Sequence, residues 1–305
     1  MSDKHLGHGD TAVITGAASG FGFELARLCA GRGMNVVLAD VQADALQRAE
    51  AELEPLGAPL LPCRLDVSKA GEVEALGRAS IERFGAPHLV FNNAGVGAGG
   101  LIWEHTAADW EWVLGVNLMG VAHGVRVFTP AMLEAARRDP GYEGHVINTA
   151  SMAGLVNPPN MGVYNVSKHA VVSLSETLFH DLSLVTDQVH AHVLCPFFVP
   201  TGIHQSERNR PASLSDPDAR PTRSQLIAQA FSNKAVTSGK VTAAQVAAKV
   251  VDAVVRDAFY VYSHPHALGS VQLRMEDLLQ HRNPSDPLKD TPEVRRQLRD
   301  ALRSA

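Results

Sequence analysis

The sequence predicts an α/β protein in which a doubly wound parallel sheet carries helices on both faces. Three observations support this. Short apolar runs alternate with longer segments of helical period through most of the chain, the pattern of parallel strands joined by crossover helices. A glycine-rich turn stands between the first apolar run and the first helical pattern. Hydrophobic residues make up 45% of the 305 positions and charged ones only 19%, which suits a sizeable core and excludes a disordered chain.

Thr11–Ile14 reads as a short buried strand. It runs into Thr15-Gly16-Ala17-Ala18-Ser19-Gly20-Phe21-Gly22 and then a helix marked by Phe23, Leu25, Ala26, Leu28 and Cys29. Glycines at such a turn let the backbone approach a pyrophosphate, and the helix N-terminus offers N–H groups and a positive dipole end. Alone, the same residues make a plain tight turn. Asn35–Asp40 is a second strand, ending in a carboxylate ~20 residues beyond the glycines, where an acid accepts hydrogen bonds from both adenosine ribose hydroxyls. A 2′-phosphate there would meet like charge, and no neighbouring arginine or lysine in sequence offers to neutralise it. NAD is therefore expected rather than NADP, the plainer alternative being an exposed strand-end aspartate.

A helix continues to about Leu53, and Leu60–Leu65 is a third strand ending at Asp66. A helix over Ser68–Phe84 leads to strand His88–Phe91 and then Asn92-Asn93-Ala94-Gly95. One long helix is expected over Ala108–Arg137, then strand His145–Thr149, the helix containing Tyr164, and a sixth strand Val189–Cys195. From Thr201 to about Lys240 the pattern lapses: residues 206–223 are rich in Pro, Ser, Asp and Arg, and Leu226, Ile227 and Phe231 suggest only a short helix. A long insertion after a strand's C-terminal end, where this fold class binds ligands, is expected to be a mobile substrate lid. Thr242-Ala243-Ala244-Gln245 is a capping-box start for another helix. Phe259–Tyr262 is a seventh strand, a helix follows over Leu268–Gln280, and the charged tail after Pro284 is expected to be only partly ordered. Residues 1–265 are expected to form one domain with 201–240 as its lid, and 266–305 a helical extension packed on it or trailing from it.

The chemistry centres on Tyr164-Asn165-Val166-Ser167-Lys168, with Ser151 thirteen positions upstream of the tyrosine. Residues four apart on a helix share a face, so the ammonium can act on the phenol. A free tyrosine has a pKa near ~10 and is a poor base at neutral pH. Lowering it to about 7 takes ~4 kcal/mol, which a positive charge at close range in a dry cleft can supply. Tyr164 and Lys168 are thus read as an acid–base pair.

Composition excludes other classes. The net charge is −5, and no Lys/Arg run has the density of a nucleic-acid patch. Met1–His5 is polar, without the apolar core of a secretory leader, and no stretch approaches the ~20 apolar residues of a membrane span. Three scattered cysteines, Cys29, Cys63 and Cys195, suggest reduced thiols in a cytoplasmic protein. There are fourteen histidines, and His190 and His192 would share a strand face, while His264 and His266 flank Pro265. No HExxH or cysteine pair accompanies them, so no metal site is expected; His192 could equally be a core or interface residue.

Together these segments resemble the short-chain dehydrogenase/reductase family over roughly residues 8–262. The resemblance implies a Rossmann-like domain with strand order 3-2-1-4-5-6-7. Thr15, Gly16, Gly20 and Gly22 match the family's TGxxxGxG turn, with Ser19 and Phe21 between them. Asp66-Val67 matches the pair that holds the adenine, and Asn93-Ala94-Gly95 the NAG motif of the central sheet. Asn117, Ser151, Tyr164 and Lys168 match the catalytic tetrad, and Pro196 and Thr201 the PGxVxT segment near the nicotinamide. The implied roles are Tyr164 as general acid–base, Ser151 as donor to the substrate oxygen, Lys168 as the residue that lowers the Tyr164 pKa and binds the nicotinamide ribose, and Asn117 as the residue fixing a helix irregularity and a proton-relay water. The usual glycine after the proline is Phe197 here, which would narrow the pocket, pack on the nicotinamide, or face the core. The helices around Trp110–Arg137 and Tyr164 correspond to the family's dimer surface, so a homodimer or homotetramer is expected. Leu155, Val156, Pro158 and Pro159, with Leu101–Trp103 and Phe197-Phe198, suggest a fairly hydrophobic secondary alcohol or ketone as the small-molecule substrate. An NADPH-dependent ketone reductase and a non-catalytic NAD(H)-binding regulator are the alternatives.

Overall fold

The computed structural model describes residues 6–303, so Met1–His5 lie outside the described residues. The elements run β1 (Thr11–Thr15), α1 (Gly20–Gly31), β2 (Asn35–Asp40), α2 (Ala43–Leu53), β3 (Leu60–Arg64), α3 (Ala70–Phe84), β4 (Leu89–Asn92), α4 (Ala107–Leu114), α5 (Gly120–Arg138), β5 (Gly144–Thr149), α6 (Gly162–Ser183), β6 (Val189–Cys195), α7 (Arg223–Thr237), α8 (Ala243–Val255), β7 (Tyr260–Tyr262), α9 (Gly269–Leu279) and α10 (Pro292–Arg303). The strands form one parallel seven-stranded sheet in the order β3-β2-β1-β4-β5-β6-β7, as the fold class required.

Alternation along the central strands sorts their side chains into two cores. Ile14, Leu38, Phe91, Ile147 and Leu194 face one way and pack with Leu25 and Cys29 of α1 and Val246 and Val250 of α8. Val13, Val37, Val90 and Val146 face the other way, onto Val73 and Leu76 of α3, Phe128 and Met132 of α5 and Leu178 of α6. Strands covered on both faces read as unbroken apolar runs rather than alternating ones, which is why β1 and β2 were legible. Each such buried side chain contributes roughly 1.5–3 kcal/mol. The strand order reverses between β1 and β4, and that switch point opens the ligand crevice at the strands' C-terminal ends.

Three elements depart from the sequence reading. The long helix expected over 108–137 is two α-helices joined by a π-helical turn at Gly115–Met119; period alone does not register one inserted residue. The segment expected to hold a short helix contains α7, fifteen residues long and opened by a Thr222/Gln225 capping box. The tail expected to be partly ordered forms α10. There Val294, Leu298 and Leu302 fall four apart behind a dense arginine pattern; Leu298 is buried, and the helix contacts α7. Among the described residues, no helix is long and apolar enough to cross a membrane.

Candidate active site

The C-terminal ends of β1, β2, β4, β5 and β6 supply the site. After β1, Gly16 takes φ +66°, a backbone conformation that side chains other than glycine seldom adopt. A Cβ on Gly22 would stand 2.1 Å from the Gly16 carbonyl oxygen, so both glycines are needed for the turn to close onto the first turn of α1. Thr201 packs over the middle glycine: a Cβ on Gly20 would lie 3.2 Å from Thr201 Cγ2. Ser19 is exposed and Phe21 partly buried at the start of α1.

The Thr15 hydroxyl ties this turn to the strand beside it. It accepts from Asn93 N–H (2.9 Å) and Ala94 N–H (3.1 Å) and donates to Phe91 O (3.2 Å). Asn93 Nδ2 returns a bond to Thr15 O at 3.0 Å. Asn93-Ala94-Gly95 is thereby clamped to β1. Asp40 is buried at the end of β2, where its carboxylate accepts from Ala18 N–H (3.1 Å) and Gln42 N–H (3.0 Å). Asp66 accepts from Ser68 N–H at 2.9 Å, with Val67 buried beside it. No arginine or lysine neighbours Asp40 in sequence, but the fold brings two arginines to this end of β2. Sheet pairing sets Arg64 opposite Asp40, and Arg64 Nε donates to Val41 O (3.3 Å) while Arg208 Nε donates to Gln42 Oε1 (3.3 Å). Neither arginine is close to Asp40 in sequence, so spacing could not reveal them.

Asn117 sits on the π-helical turn and is fully buried. Its Oδ1 accepts from Val96 N–H (2.8 Å), and its Nδ2 donates to Val96 O (3.0 Å) and Ser167 Oγ (3.1 Å). Ser167 in turn donates to Tyr164 O at 2.8 Å, which links the Asn117 turn to the helix bearing Tyr164. Ser151 follows β5, where its Oγ accepts from Ala153 N–H (3.1 Å) and donates to Pro196 O (3.4 Å). Lys168 is buried, and its Nζ donates to Thr149 O (2.9 Å) and lies 5.7 Å from the centre of the Tyr164 ring. The supporting roles of Val96 and Thr149 escaped the sequence reading because they act through backbone atoms, and that of Ser167 because its hydroxyl meets Asn117 fifty residues away.

The electrostatics differ from the expected pair. Burial raises the Tyr164 pKa, and a hydrogen bond with Ser151 opposes that rise. Burial also pushes Lys168 down to about 8. In the protein alone, then, desolvation governs both groups, and the expected lowering of Tyr164 by the Lys168 ammonium does not prevail. Phe197 does not face the core: it is exposed and packs edge-on against Phe198 (4.7 Å) and His264 (5.8 Å). The segment after β6, expected to be a substrate lid, contacts α4: Arg210 Nη1 pairs with Asp109 Oδ1 at 2.7 Å and its guanidinium lies 5.1 Å from the Trp112 ring. Ser206 Oγ accepts from Gly97 N–H (2.8 Å), and Ser224 Oγ donates to Glu104 Oε2 (2.7 Å).

The glycine cradle at a helix N-terminus, the buried strand-end carboxylate and the Lys168 ammonium fit a dinucleotide lying across the switch point. The family model for short chain dehydrogenases matches residues 10–212. The chain belongs to the short-chain dehydrogenase/reductase family. This dehydrogenase is 34% identical over 268 residues to the CLA biosynthesis dehydrogenase/reductase of Lactiplantibacillus plantarum, covering 87% of this chain and 92% of the relative. Its fold superposes with TM-score 0.90 on a short-chain dehydrogenase/reductase from Burkholderia phymatum in complex with NAD, 52% identical over 93% of this chain and 99% of the other. It also resembles a metagenomic short-chain oxidoreductase in complex with NADP (TM-score 0.58, 30% identity, 63% of this chain and 84% of the other). This dehydrogenase is accordingly a nicotinamide-dependent oxidoreductase.

Proposed function

We propose that this dehydrogenase uses NAD to interconvert a fairly hydrophobic secondary alcohol and its ketone, with Tyr164 as general acid–base. The observation that carries the reading is the convergence of Ser151, Tyr164 and Lys168 at the strand ends beside a turn closed by Asp40. When bound, the nicotinamide is the two-electron partner for hydride transfer. The chain's own residues handle the proton. Tyr164 Oη takes it from the alcohol or gives it to the ketone, and the Ser151 hydroxyl donates to the substrate oxygen as charge develops there. Lys168 would hold the ribose hydroxyls, and Asn117, which fixes the π-helical turn, would position a relay water. Preference for NAD rests on Asp40, since its carboxylate would repel a 2′-phosphate, and on the 52% identity to the NAD-bound relative. Arg64 and Arg208 are the features that argue for NADP. A hydrophobic substrate is supported by Val156 and Pro159 of the loop after Ser151. These residues also line a cavity of about 680 Å³ against the C-terminal extension, whose walls combine Leu273 and Leu298 with Arg274, Arg282, Arg295 and Arg299.

Titration with NADH and with NADPH, followed by nicotinamide fluorescence, tests the cofactor assignment. NADH should bind at least tenfold more tightly, and Asp40→Ala should weaken NADH while narrowing the gap. Equal affinities in the wild type, or unchanged selectivity in the variant, would remove Asp40 from this role and favour an NADPH-dependent ketone reductase. The pKa directions give a second test. The acting base is the Tyr164 phenolate, and burial raises the phenol pKa, so alcohol oxidation should accelerate as pH rises through the alkaline range. Ketone reduction needs the protonated form and should slow over the same range. A flat oxidation profile up to the pH at which the protein unfolds would count against Tyr164 as the base.

A further inference from the structure

At the sheet edge opposite the cofactor crevice, where β5 and β6 begin, three histidines meet. Parallel register sets His145 beside His190 and Ile147 beside His192, and alternation along the strands puts all three imidazoles on one face. This is the face covered by α1 and α8. His145 and His192 are buried. Asp257, in the connection from α8 to β7, reaches the cluster from the protein surface, its side chain 43% exposed.

The hydrogen bonds fix which atoms point inward. His192 Nδ1 lies 2.9 Å from the Ala258 carbonyl oxygen. A carbonyl only accepts, so Nδ1 carries the proton and Nε2 keeps its lone pair. That lone pair faces His145 Nδ1 at 3.0 Å. The other nitrogen of His145, Nε2, stands 3.6 Å from Glu143 Oε1. One ligand atom from each of His145, His192 and Asp257 lies within 4.8 Å of the others. The Asp257 carboxylate also meets His190 Nδ1, at 3.1 Å from Oδ1.

We propose that His145 Nδ1, His192 Nε2 and the Asp257 carboxylate form a binding site for a divalent transition-metal ion, with zinc the best match. Two imidazoles and a carboxylate suit zinc better than magnesium or calcium, which prefer all-oxygen sets. Bonds of ~2.0–2.1 Å at a tetrahedral angle place neighbouring ligand atoms ~3.3 Å apart, only slightly wider than the observed 3.0 Å between the two nitrogens. The candidate ligands have polar neighbours of their own: Ala258 O accepts from His192 Nδ1, His190 Nδ1 lies on Asp257 Oδ1, and Glu143 Oε1 stands 3.6 Å from His145 Nε2. Such partners orient the ligands of metal sites. The carboxylates of Asp257 and Glu143 balance the charge of the ion, and water completes the fourth position from the exposed side. The ligands come from β5, β6 and the α8–β7 connection, so the ion would pin that connection to the sheet and act on stability rather than on turnover. Sequence spacing could not reveal the site, because more than a hundred residues separate His145 from Asp257.

The competing state is a neutral pair in which His145 Nδ1 donates to His192 Nε2 and no metal is taken up. Full-length protein stripped with a chelator and then titrated with Zn2+ by calorimetry separates the two, with Co2+ absorption as the spectroscopic companion. One tight zinc ion per chain, tetrahedral cobalt bands and a zinc-dependent rise in Tm are expected. Asp257→Asn, at a partly exposed position, should fold normally and keep NADH binding and turnover. It should weaken zinc at least tenfold and abolish the rise in Tm. A control lacking the other close histidine pair, His264→Gln/His266→Gln, should bind zinc as the wild type does. Absence of stoichiometric binding, unchanged affinity in Asp257→Asn, or loss of affinity in the control would each overturn the proposal.

Discussion

The Tyr164→Phe variant should lose turnover on the order of 10³-fold while its affinity for NADH stays within a few-fold of wild type. The expected loss is the contribution a positioned general acid–base makes to a proton transfer. Tyr164 is buried, and phenylalanine keeps the ring and its packing, so the change is confined to one hydroxyl. The structural cost is small: the Ser151 hydroxyl loses the phenol as a partner but keeps its bonds to Pro196 O and Ala153 N–H, a difference of about 1 kcal/mol. Steady-state rates on a hydrophobic secondary alcohol, paired with fluorescence titration of NADH, separate the two effects. Equal turnover in both proteins would end the assignment of Tyr164. A parallel loss of NADH binding would show that the variant had disturbed the crevice, and Ser151→Ala would then be the cleaner probe.

What could be read from sequence was what local backbone geometry or burial dictates. Gly16 and Gly22 announce themselves because the turn between β1 and α1 cannot close around a Cβ. The apolar runs of β1 and β2 are legible because their strands are covered on both faces. Tyr164 and Lys168 are legible because four residues make one helical face. The misses share a different origin. Arg64 and Arg208 approach the Asp40 end of β2 through strand pairing and through the docked segment after β6; neither contact has a local signature. The helix irregularity at Asn117 was expected only through the family resemblance, because the π-helical turn has a tertiary cause that the helical period does not carry: the side chain bonds both backbone groups of Val96. α10 was hidden because charged residues outnumber its apolar ones, and only the packed face around Leu298 reveals it. The electrostatics of Tyr164 were misjudged for a related reason. Spacing shows that an ammonium is near, whereas burial decides what both groups pay to be charged.

That cost leads to a second expectation, that Lys168→Met inactivates the enzyme and at the same time stabilises the fold at neutral pH. Burial pushes Lys168 from its ordinary 10.5 down to about 8, so the folded state disfavours a proton that the unfolded chain holds readily. Below pH 8 both states carry that proton, and folding bears the full penalty of the buried charge, ~3 kcal/mol. Between pH 8 and 10.5 the unfolded chain binds more protons than the folded one, so this contribution to stability rises with pH until the penalty is gone. Methionine matches the lysine stem in length, carries no charge and removes the penalty, at the loss of one hydrogen bond to Thr149 O, about 1 kcal/mol. The net expectation is a gain of ~2 kcal/mol at pH 7, shrinking toward zero near pH 9.5. Urea unfolding of both proteins at the two pH values measures the difference directly, and the shared background of other titrating groups cancels in the comparison. A gain of equal size at both pH values would mean that packing rather than charge sets the stability at this position. A destabilised variant at pH 7 would mean that Lys168 is held by interactions stronger than its desolvation. Lysine kept in so unfavourable a place is in keeping with the proposed role, in which an ammonium that would hold ribose hydroxyls beside Tyr164 is retained although the fold itself would be more stable without it.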